Sequence, residues 1–475
     1  MNAHLKRFGA LPAVLLGALL LRVLAGVGFA NYDTLYALVW GQQLARGETP
    51  QYGIPVAPTP HPLVEALGFA LSPLGPRAAQ SITVALGFVA LAGCGWVVYR
   101  LGSQWFGRAA GALAAALLLT RLPVVSYGVR AYVDIPYLLL VLGAVFLATR
   151  DSAARRPSMV LLLLGLAGLL RPEAWVFSGL YWLYLAFGTS CTRSQLARLA
   201  LLACAAPLAW ALSDLLVTGH PLWSLTNTRH TARELGRVTG VANVPEYIPR
   251  RLGEILRPPV LLGAALGGVL TLLWIPARAR VGGAVGVVAV AVFAVFATAG
   301  LPINTRYGFL AAAVLCVFCG AGVFGWTQLA PGDRRRRPWM AGGAVVALAL
   351  VAYAPAQYRA VHRELDALAR QQSIQRDLVG LVHGGAISLR CGPVGVPNHR
   401  PIPLLALELR ASPADVVSAQ VRTLALGTYV QPATRAVERD YILDLHDPGA
   451  LTPRVPPGFV RVAANRSWTV LRHCS

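Results

Sequence analysis

The sequence predicts an α-helical polytopic membrane protein with about eleven transmembrane helices and a small C-terminal α/β domain. Hydrophobic residues make up 56% of the 475-residue chain and charged residues only 13%, and the mean hydropathy is +0.57. This composition is too apolar for a water-soluble globular protein. Apolar segments separated by short loops fill the first three quarters of the chain, and a more polar stretch follows them.

Eleven segments are long and apolar enough to be candidate membrane helices, since a span needs roughly 20 such residues. We do not interpret the first segment as a cleaved signal peptide, because it runs into Asp33 without a convincing cleavage site. The segments are 10–30, 79–99, 108–125, 134–149, 158–170, 172–188, 199–217, 258–275, 281–300, 307–329 and 339–355.

The distribution of basic residues predicts the orientation. The net charge of +22 could suggest nucleic-acid binding, but the arginines recur in every second loop, which is typical of cytoplasmic loops. We therefore expect no nucleic acid, a location in the cell membrane, a cytoplasmic N-terminus and an extracytoplasmic C-terminal domain. The groups are Lys6/Arg7, Arg100/Arg108, Arg150/Arg155/Arg156, Arg193/Arg198, Arg278/Arg280 and Arg334 to Arg337.

The change in composition near residue 357 predicts two domains, a transmembrane domain over 1–356 and a soluble domain over 357–475. Within the second, residues 359–382 have helical periodicity, and short β-like runs occur at 386–390, 441–445 and 468–472. Cys391 and Cys474 both fall in this domain, where an oxidising exterior would allow them to form a disulfide.

Acidic residues and a histidine gather in loops on the predicted outer side. Those loops are 31–78, 126–134 and 218–258, and long loops in compact proteins tend to be functional. Asp33 directly follows the first helix, Asp134 begins the fourth, and His61 lies in the first loop. Asp134 could instead only cap its helix. Together, however, the three favour deprotonation of a hydroxyl group.

Basic residues near the same membrane face suggest a phosphate site. Ionisable residues within spans are functional candidates, and guanidinium groups bind phosphate in a bidentate manner. The simpler alternatives are that Arg171 pairs only with Glu173 and that Arg22 extends to the membrane surface. The candidate phosphate ligands are Arg171, Arg306, His61 and Arg22, with Glu173, Tyr307 and Tyr32 as supporting residues.

The order of these motifs resembles the GT-C superfamily of polytopic glycosyltransferases, which includes the protein O-mannosyltransferases and the aminoarabinose transferases. The resemblance covers about residues 10–330. It rests on the aspartate after the first helix, a Tyr…Gly-x₅-Gly-x₂-Pro stretch, His61-Pro62, Asp134-Ile-Pro136, Leu-Leu-Arg171-Pro-Glu173-Ala-Trp and Arg306-Tyr307.

This resemblance implies an inverting glycosyltransferase that moves a sugar from a polyprenyl-phosphate donor to an acceptor hydroxyl at the outer membrane face. Asp33 would be the catalytic base, Asp134 a second catalytic acid residue, and Arg171, Arg306 and His61 would hold the donor phosphate. Asp134 lacks the second acid of an Asp-x-Asp motif, so neither a divalent metal nor another cofactor is indicated. The acceptor is a glycan, a lipid or a protein.

Two other functional classes compete with the glycosyltransferase. A multi-pass transporter, or a flippase or ligase for lipid-linked glycans, would also place charged residues in a helical bundle. Transporters usually show internal repeats and helices broken at the midplane, and the sequence shows neither. A structural membrane protein would leave Asp33, Arg171 and Arg306 without a role.

The predicted orientation can be tested by labelling. We expect a cysteine at position 412 to react with an impermeant probe in intact cells, because the C-terminal domain is placed outside. Labelling only after the membrane is permeabilised would reverse the predicted topology.

Overall fold

The computed structural model describes residues 10–150, 156–442 and 455–474, and it is mostly helical. In chain order, the helices that matter below are α1 (Ala10–Ala25), α2 (Tyr32–Ala45), α3 (Pro62–Leu71), α4 (Pro76–Phe106), α5 (Arg108–Leu119), α6 (Leu122–Val129), α7 (Asp134–Ala148), α8 (Pro157–Gly168), α9 (Glu173–Gly188), α10 (Arg193–Thr218), α11 (Trp223–Glu234), α12 (Val244–Trp274), α13 (Pro276–Thr298), α14 (Phe309–Phe324), α15 (Arg336–His383) and α16 (Ile402–Leu409).

Each of the eleven predicted segments overlaps a helix. Six helices within the described ranges are long and apolar enough to cross a membrane, and the bent pair α5–α6 would make a seventh. The four remaining predicted spans are the shorter helices α1, α7, α8 and α9. Leu201 (72% exposed), Leu216 (75%) and Phe187 (87%) show that the outer surface of the bundle is apolar. Such a surface suits lipid and not water.

Three of the short helices, α7, α8 and α9, begin or end in one polar region. Helix α8 ends at Gly168 and α9 begins at Glu173, while α7 begins at Asp134. The break between α8 and α9 contains Arg171 and Pro172, which cannot continue the first helix. Irregular backbone at membrane depth is tolerated where it is buried in protein or lines a cavity. The breaks therefore mark the site described below.

Close helix contacts in the bundle depend on small residues. Helices α12 and α14 approach so closely that a Cβ atom built on Gly267 would lie 1.9 Å from the Phe318 carbonyl oxygen. A Cβ on Gly322 would likewise lie 2.3 Å from the carbonyl oxygen of Gly263. Small residues that let helix backbones approach are the usual basis of packing in membranes. This pair forms part of the main hydrophobic core.

The C-terminal region contains a five-stranded mixed sheet in the order β2-β1-β3-β5-β4. Strand β1 is parallel to β2 and β3, whereas β5 is antiparallel to β3 and β4. In the register of the central pair, Tyr429 lies opposite Leu471. The strands are β1 (Val394–Val396), β2 (Val416–Ser418), β3 (Gly427–Pro432), β4 (Val460–Ala464) and β5 (Trp468–His473).

The structure confirms some of the predicted C-terminal elements and corrects others. The predicted helix lies within α15, and the predicted strand at 468–472 is β5. The predicted strand at 386–390 is wrong, because the Ala386 and Ile387 amides donate to the Leu381 carbonyl and close the end of α15. Tyr441 belongs to a single π-helical turn, Glu438–Ile442. Residues 443–445 lie outside the described residues.

Helix α15 joins the two parts of the molecule. It runs for 48 residues without interruption, and the predicted domain boundary at 356/357 lies inside it, next to Pro355. In the C-terminal part, a disulfide links Cys391 to Cys474, which are 83 residues apart in sequence.

The C-terminal sheet and the loop after α1 share one hydrophobic core. From α2 and that loop come Leu35, Tyr36, Trp40 and Tyr52, and from the C-terminal region come Ile374, Leu378, Val394 and Trp468, all of them buried. The indole Nε1 of Trp468 also donates to the Ile374 carbonyl at 2.9 Å. Helix α2 is therefore packed against the C-terminal region as well as against the bundle.

The close approach of α12 and α14 at Gly267 can be tested with a matched pair of variants. We expect Gly267→Ala to lower the midpoint of thermal unfolding in detergent, because the added methyl group meets backbone atoms of α14 that cannot move aside. The control is Gly268→Ala, because a Cβ atom there meets nothing within 4 Å. Equal stability of the two variants would contradict the close approach of α12 and α14.

Candidate active site

Asp33 is fixed in the first turn of α2 by its neighbours. The Asn31 side chain caps the helix and accepts hydrogen bonds from the amides of Asp33 (2.8 Å) and Thr34 (3.2 Å). A helix N-terminus carries partial positive charge, which favours an ionised carboxylate there. The carboxylate itself is left for contacts outside the helix.

The same turn is tied to the loop that carries Asp134. The Asn31 side-chain amide donates to the Arg130 carbonyl at 3.0 Å, and the Thr34 hydroxyl donates to the Ala131 carbonyl at 2.8 Å. Ala131 has a φ of +52°, an uncommon backbone conformation for alanine. These contacts bring the start of α7 beside the start of α2.

Asp134 does not cap its helix, so the simpler of the two interpretations of this residue is wrong. Val133 occupies the cap position and makes no side-chain capping bond, while Asp134 lies in the first turn of α7. Its carboxylate Oδ1 instead accepts from Nη1 of Arg171. The side chain is only 1% exposed, and a buried charge requires a partner of opposite charge.

Arg171 is enclosed by carboxylates. Besides its contact with Asp134, it donates from Nη2 to Glu173 at 2.6 Å and from Nε to both oxygens of the same carboxylate at 3.2 and 3.3 Å. Its guanidinium carbon also lies 4.3 Å from the ring centre of Tyr307. Each of its three nitrogens is thus engaged by an acid.

Arg306 bridges the two aspartates. Its Nη1 lies 2.9 Å from Oδ2 of Asp33 and 3.9 Å from Oδ2 of Asp134. Its Nε is buried and makes no hydrogen bond to the described residues. Burial raises the pKa of the Asp33 carboxyl, but the Arg306 guanidinium outweighs this effect and holds that pKa below its usual value. Asp33 is therefore ionised at neutral pH.

The charged side chains of Asp33, Asp134, Arg171, Glu173 and Arg306 form an ion cluster. His61 lies close to it, at the N-terminus of α3. Burial lowers the pKa of its ring to about 4, although the nearby charge of Asp33 opposes the shift. The imidazole is consequently neutral near pH 7. Its backbone amide donates to Glu65 at 3.1 Å, and Glu65 also accepts from the Tyr52 hydroxyl. Burial raises the pKa of Glu65 to about 7.

A cavity of about 980 Å³ opens onto the cluster and has two different walls. Helices α10 and α13 contribute an apolar wall that includes Cys204, Pro207, Leu208, Val295 and Phe296. The C-terminal region contributes a polar wall formed by Gln371, Gln375, His399, Arg400 and Tyr441. One cavity therefore connects membrane helices, the charged cluster and the C-terminal region.

No protein-family model matches the sequence, and no curated protein matches it. Solved structures do match. ArnT from Cupriavidus metallidurans bound to undecaprenyl phosphate has 15% identity and a TM-score of 0.58, with 98% of each chain covered. The apo form of the same protein matches with a TM-score of 0.56 and 15% identity.

A second matching protein is the oligosaccharyltransferase AglB from Archaeoglobus fulgidus, in complex with an inhibitory peptide and a dolichol phosphate. It has 11% identity and a TM-score of 0.50, with 92% of this chain and 70% of the other covered. Both proteins are members of the GT-C superfamily. The chain has a GT-C fold. At these identities the likeness to both GT-C proteins establishes the fold and does not extend to the substrate.

Within this GT-C fold, most of the predicted site residues come together. Asp33, His61, Arg171, Glu173, Arg306, Tyr307 and Tyr32 all line the cavity, and Asp134 is buried behind them. Arg22 does not join them. It lies exposed on α1 with its guanidinium carbon 5.8 Å from the ring centre of Phe88.

Sequence reasoning missed several cavity arginines, among them Arg229 and Arg237 in the loop 218–258. Both line the cavity, and the electrostatic field of Arg237 reaches Asp33. Neither makes an ion pair with the described residues, and Nε of Arg229 is buried without a hydrogen bond. The length of the loop marks it as a functional candidate, but its sequence does not distinguish these two arginines from surface arginines such as Arg233.

The buried ion pair between Asp134 and Arg171 predicts that loss of the Asp134 charge lowers the stability of the protein. We expect Asp134→Asn to destabilise the protein by about 3 kcal/mol, the scale for breaking a buried ion pair, measured by thermal unfolding in detergent. Asp333→Asn is the control, because Asp333 pairs with Arg335 at the surface and exposed pairs contribute little. A small effect in both variants would contradict the buried ion pair between Asp134 and Arg171.

Proposed function

We propose that the protein is an inverting glycosyltransferase that moves a sugar from a polyprenyl-phosphate donor to an acceptor hydroxyl at the outer face of the membrane. The observation that carries this proposal is the single cavity in which the ion cluster adjoins an apolar wall of membrane helices. A lipid-linked sugar needs both environments. Its chain requires apolar contacts, and its phosphate requires cations.

Asp33 is the proposed base. The acceptor oxygen attacks the anomeric carbon, the bond from that carbon to the phosphate oxygen breaks, and the polyprenyl phosphate leaves with the bonding electrons. The hydroxyl proton passes to the Asp33 carboxylate, whose side chain is 17% exposed. Attack opposite the leaving phosphate inverts the anomeric centre. Asp134 is almost fully buried and keeps Arg171 in place.

The phosphate ligands we propose differ from those expected from the sequence. Arg171 has no nitrogen without a carboxylate partner, so we assign it to holding Asp134 and Glu173. Arg306 and Arg229 each retain a buried Nε without a partner among the described residues, and Arg237 lines the same cavity. These three arginines supply positive charge where the leaving phosphate develops negative charge. Neutral His61 can add a hydrogen bond.

Arg306 links donor binding to the basicity of Asp33. In the structure it donates to the Asp33 carboxylate and thereby lowers the pKa of that carboxyl. A donor phosphate would compete for the same guanidinium. Once Arg306 turns to the phosphate, Asp33 loses its cationic partner and becomes the stronger base that proton transfer requires.

Two features support this function and orientation over the transporter alternative. The ionisable groups of the cavity collect at the end of the bundle that carries the sheet, and do not form a path across it. The Cys391–Cys474 disulfide closes the C-terminal region at this same end. Disulfides persist in oxidising compartments, which favours the outer face.

The role of Asp33 is tested by Asp33→Asn. The change keeps the side-chain volume but removes the proton acceptor, so we expect turnover to fall at least about 10²-fold while donor binding is retained. The assay measures sugar transfer in proteoliposomes that contain polyprenyl-phosphate sugars.

Asp366→Asn is the matched control, because Asp366 is exposed on α15 and does not line the cavity. A near wild-type rate for the Asp33→Asn protein would disprove the proposed mechanism and favour the transporter.

The proposed phosphate site is tested by arginine variants. We expect Arg229→Ala and Arg306→Ala each to weaken binding of polyprenyl phosphate by about 2 kcal/mol, or roughly 30-fold, the scale for truncating one partner of a charged pair. Arg233→Ala is the control, since Arg233 lies one turn from Arg229 on α11 but is exposed and outside the cavity. Equal affinity for all three proteins, measured by native mass spectrometry, would exclude this site.

A further inference from the structure

We propose that the polar wall of the cavity, formed by Gln371, Gln375, His399, Arg400 and Tyr441, binds a carbohydrate acceptor. This inference rests on the proposed function, because it identifies the class of molecule whose hydroxyl group Asp33 would deprotonate. It gives the C-terminal region a substrate-binding role in addition to its packing against α2.

Two glutamines on α15 form the centre of the polar wall. Gln371 and Gln375 are one helical turn apart, so their side chains lie on the same face. The Gln371 amide donates to the Asp440 carbonyl at 3.2 Å, and the Gln375 side chain hydrogen-bonds Tyr441. Both amides are thus held in place, while each keeps donor or acceptor capacity for a ligand.

Aromatic groups connect this wall to the proposed base. Tyr32 precedes Asp33, and its ring packs edge-on against His399 at 5.4 Å. The Tyr32 hydroxyl donates to the Val56 carbonyl at 3.0 Å, which fixes the ring beside the cavity. A ligand on the polar wall would therefore lie beside Tyr32, the residue that precedes Asp33, in the same cavity.

The chemistry of the polar wall fits a sugar better than a lipid or a peptide. Amide, phenol, imidazole and guanidinium groups provide the mixed donors and acceptors that sugar hydroxyls require. A second lipid chain would need apolar contacts, but on α15 the apolar Ile374 and Leu378 are buried in the core. A peptide often binds by adding to a sheet edge, and none of the five described strands lines the cavity.

The test separates acceptor binding from donor chemistry. Wild-type protein, the Gln371→Ala/Gln375→Ala double variant and the control Arg376→Ala are placed in proteoliposomes with a panel of polyprenyl-phosphate sugars. Arg376 is the next residue on α15, exposed and outside the cavity. Two rates are measured, namely donor hydrolysis by water without acceptor and transfer to water-soluble fluorescent trisaccharides.

We expect the double variant to lose at least 10-fold in kcat/KM for the trisaccharide, while donor hydrolysis stays within twofold of wild type. The control should match wild type in both assays. If the double variant does not fold, Gln371→Glu, which keeps the side-chain volume, is measured instead and should show the same selective loss.

Other outcomes would overturn the inference. They are unchanged trisaccharide transfer in a folded variant, an equal loss of hydrolysis and transfer, or wild-type transfer to peptide or lipid hydroxyls and not to trisaccharides. If the wild-type protein neither hydrolyses a donor nor transfers sugar from one, the proposed glycosyltransferase function is rejected. This result differs from the three outcomes above, in which the wild-type protein is active.

Discussion

The packing of α2 against the C-terminal sheet is the constraint on which the site depends. Helix α2 carries Asp33 at its first turn, and its buried face shares a core with Ile374, Val394 and Trp468. Because well-packed interiors resist small displacements, the position of Asp33 is set by residues more than 300 positions later in the chain. The soluble region is accordingly part of the site and not an appendage to it.

The ion cluster imposes a second constraint. Three carboxylates, those of Asp33, Asp134 and Glu173, surround the guanidinium groups of Arg171 and Arg306. The five charges sum to −1, so the cluster alone does not attract an anion. Arg229 and Arg237 reverse this balance at the cavity wall. The cluster therefore fixes geometry, while arginines elsewhere on the cavity wall, in the loop 218–258 and at Arg130 and Arg400, supply the excess positive charge.

Hydropathy predicted the eleven helical segments because lipid demands apolar surface along the whole of each span. The positions of Asp33, His61 and Arg306 next to helix ends likewise identified them as site candidates.

Other features could not be predicted, because they depend on contacts between residues that are distant in sequence. The sequence alone left open whether Asp134 only caps its helix, because its partner, Arg171, lies 37 residues away. The short strands were mostly missed, since their burial is set by α15 and α16. Arg22 resembled a site residue in sequence, but it lies exposed on α1.

Helix α15 has a mechanical consequence. It is one helix, about 72 Å long at 1.5 Å per residue, with Pro355 inside it. It is anchored to the bent pair α5–α6 by Gln357, which donates to the Thr120 carbonyl, and by Glu364, which accepts from the Ser126 hydroxyl. One part of this helix is a candidate membrane span, and another part bears Gln371 and Gln375. A tilt of the span in a bilayer of different thickness would therefore act on the segment that holds these glutamines. The height of the polar wall above the membrane is thus linked, through one continuous helix, to the position of a span in the bilayer.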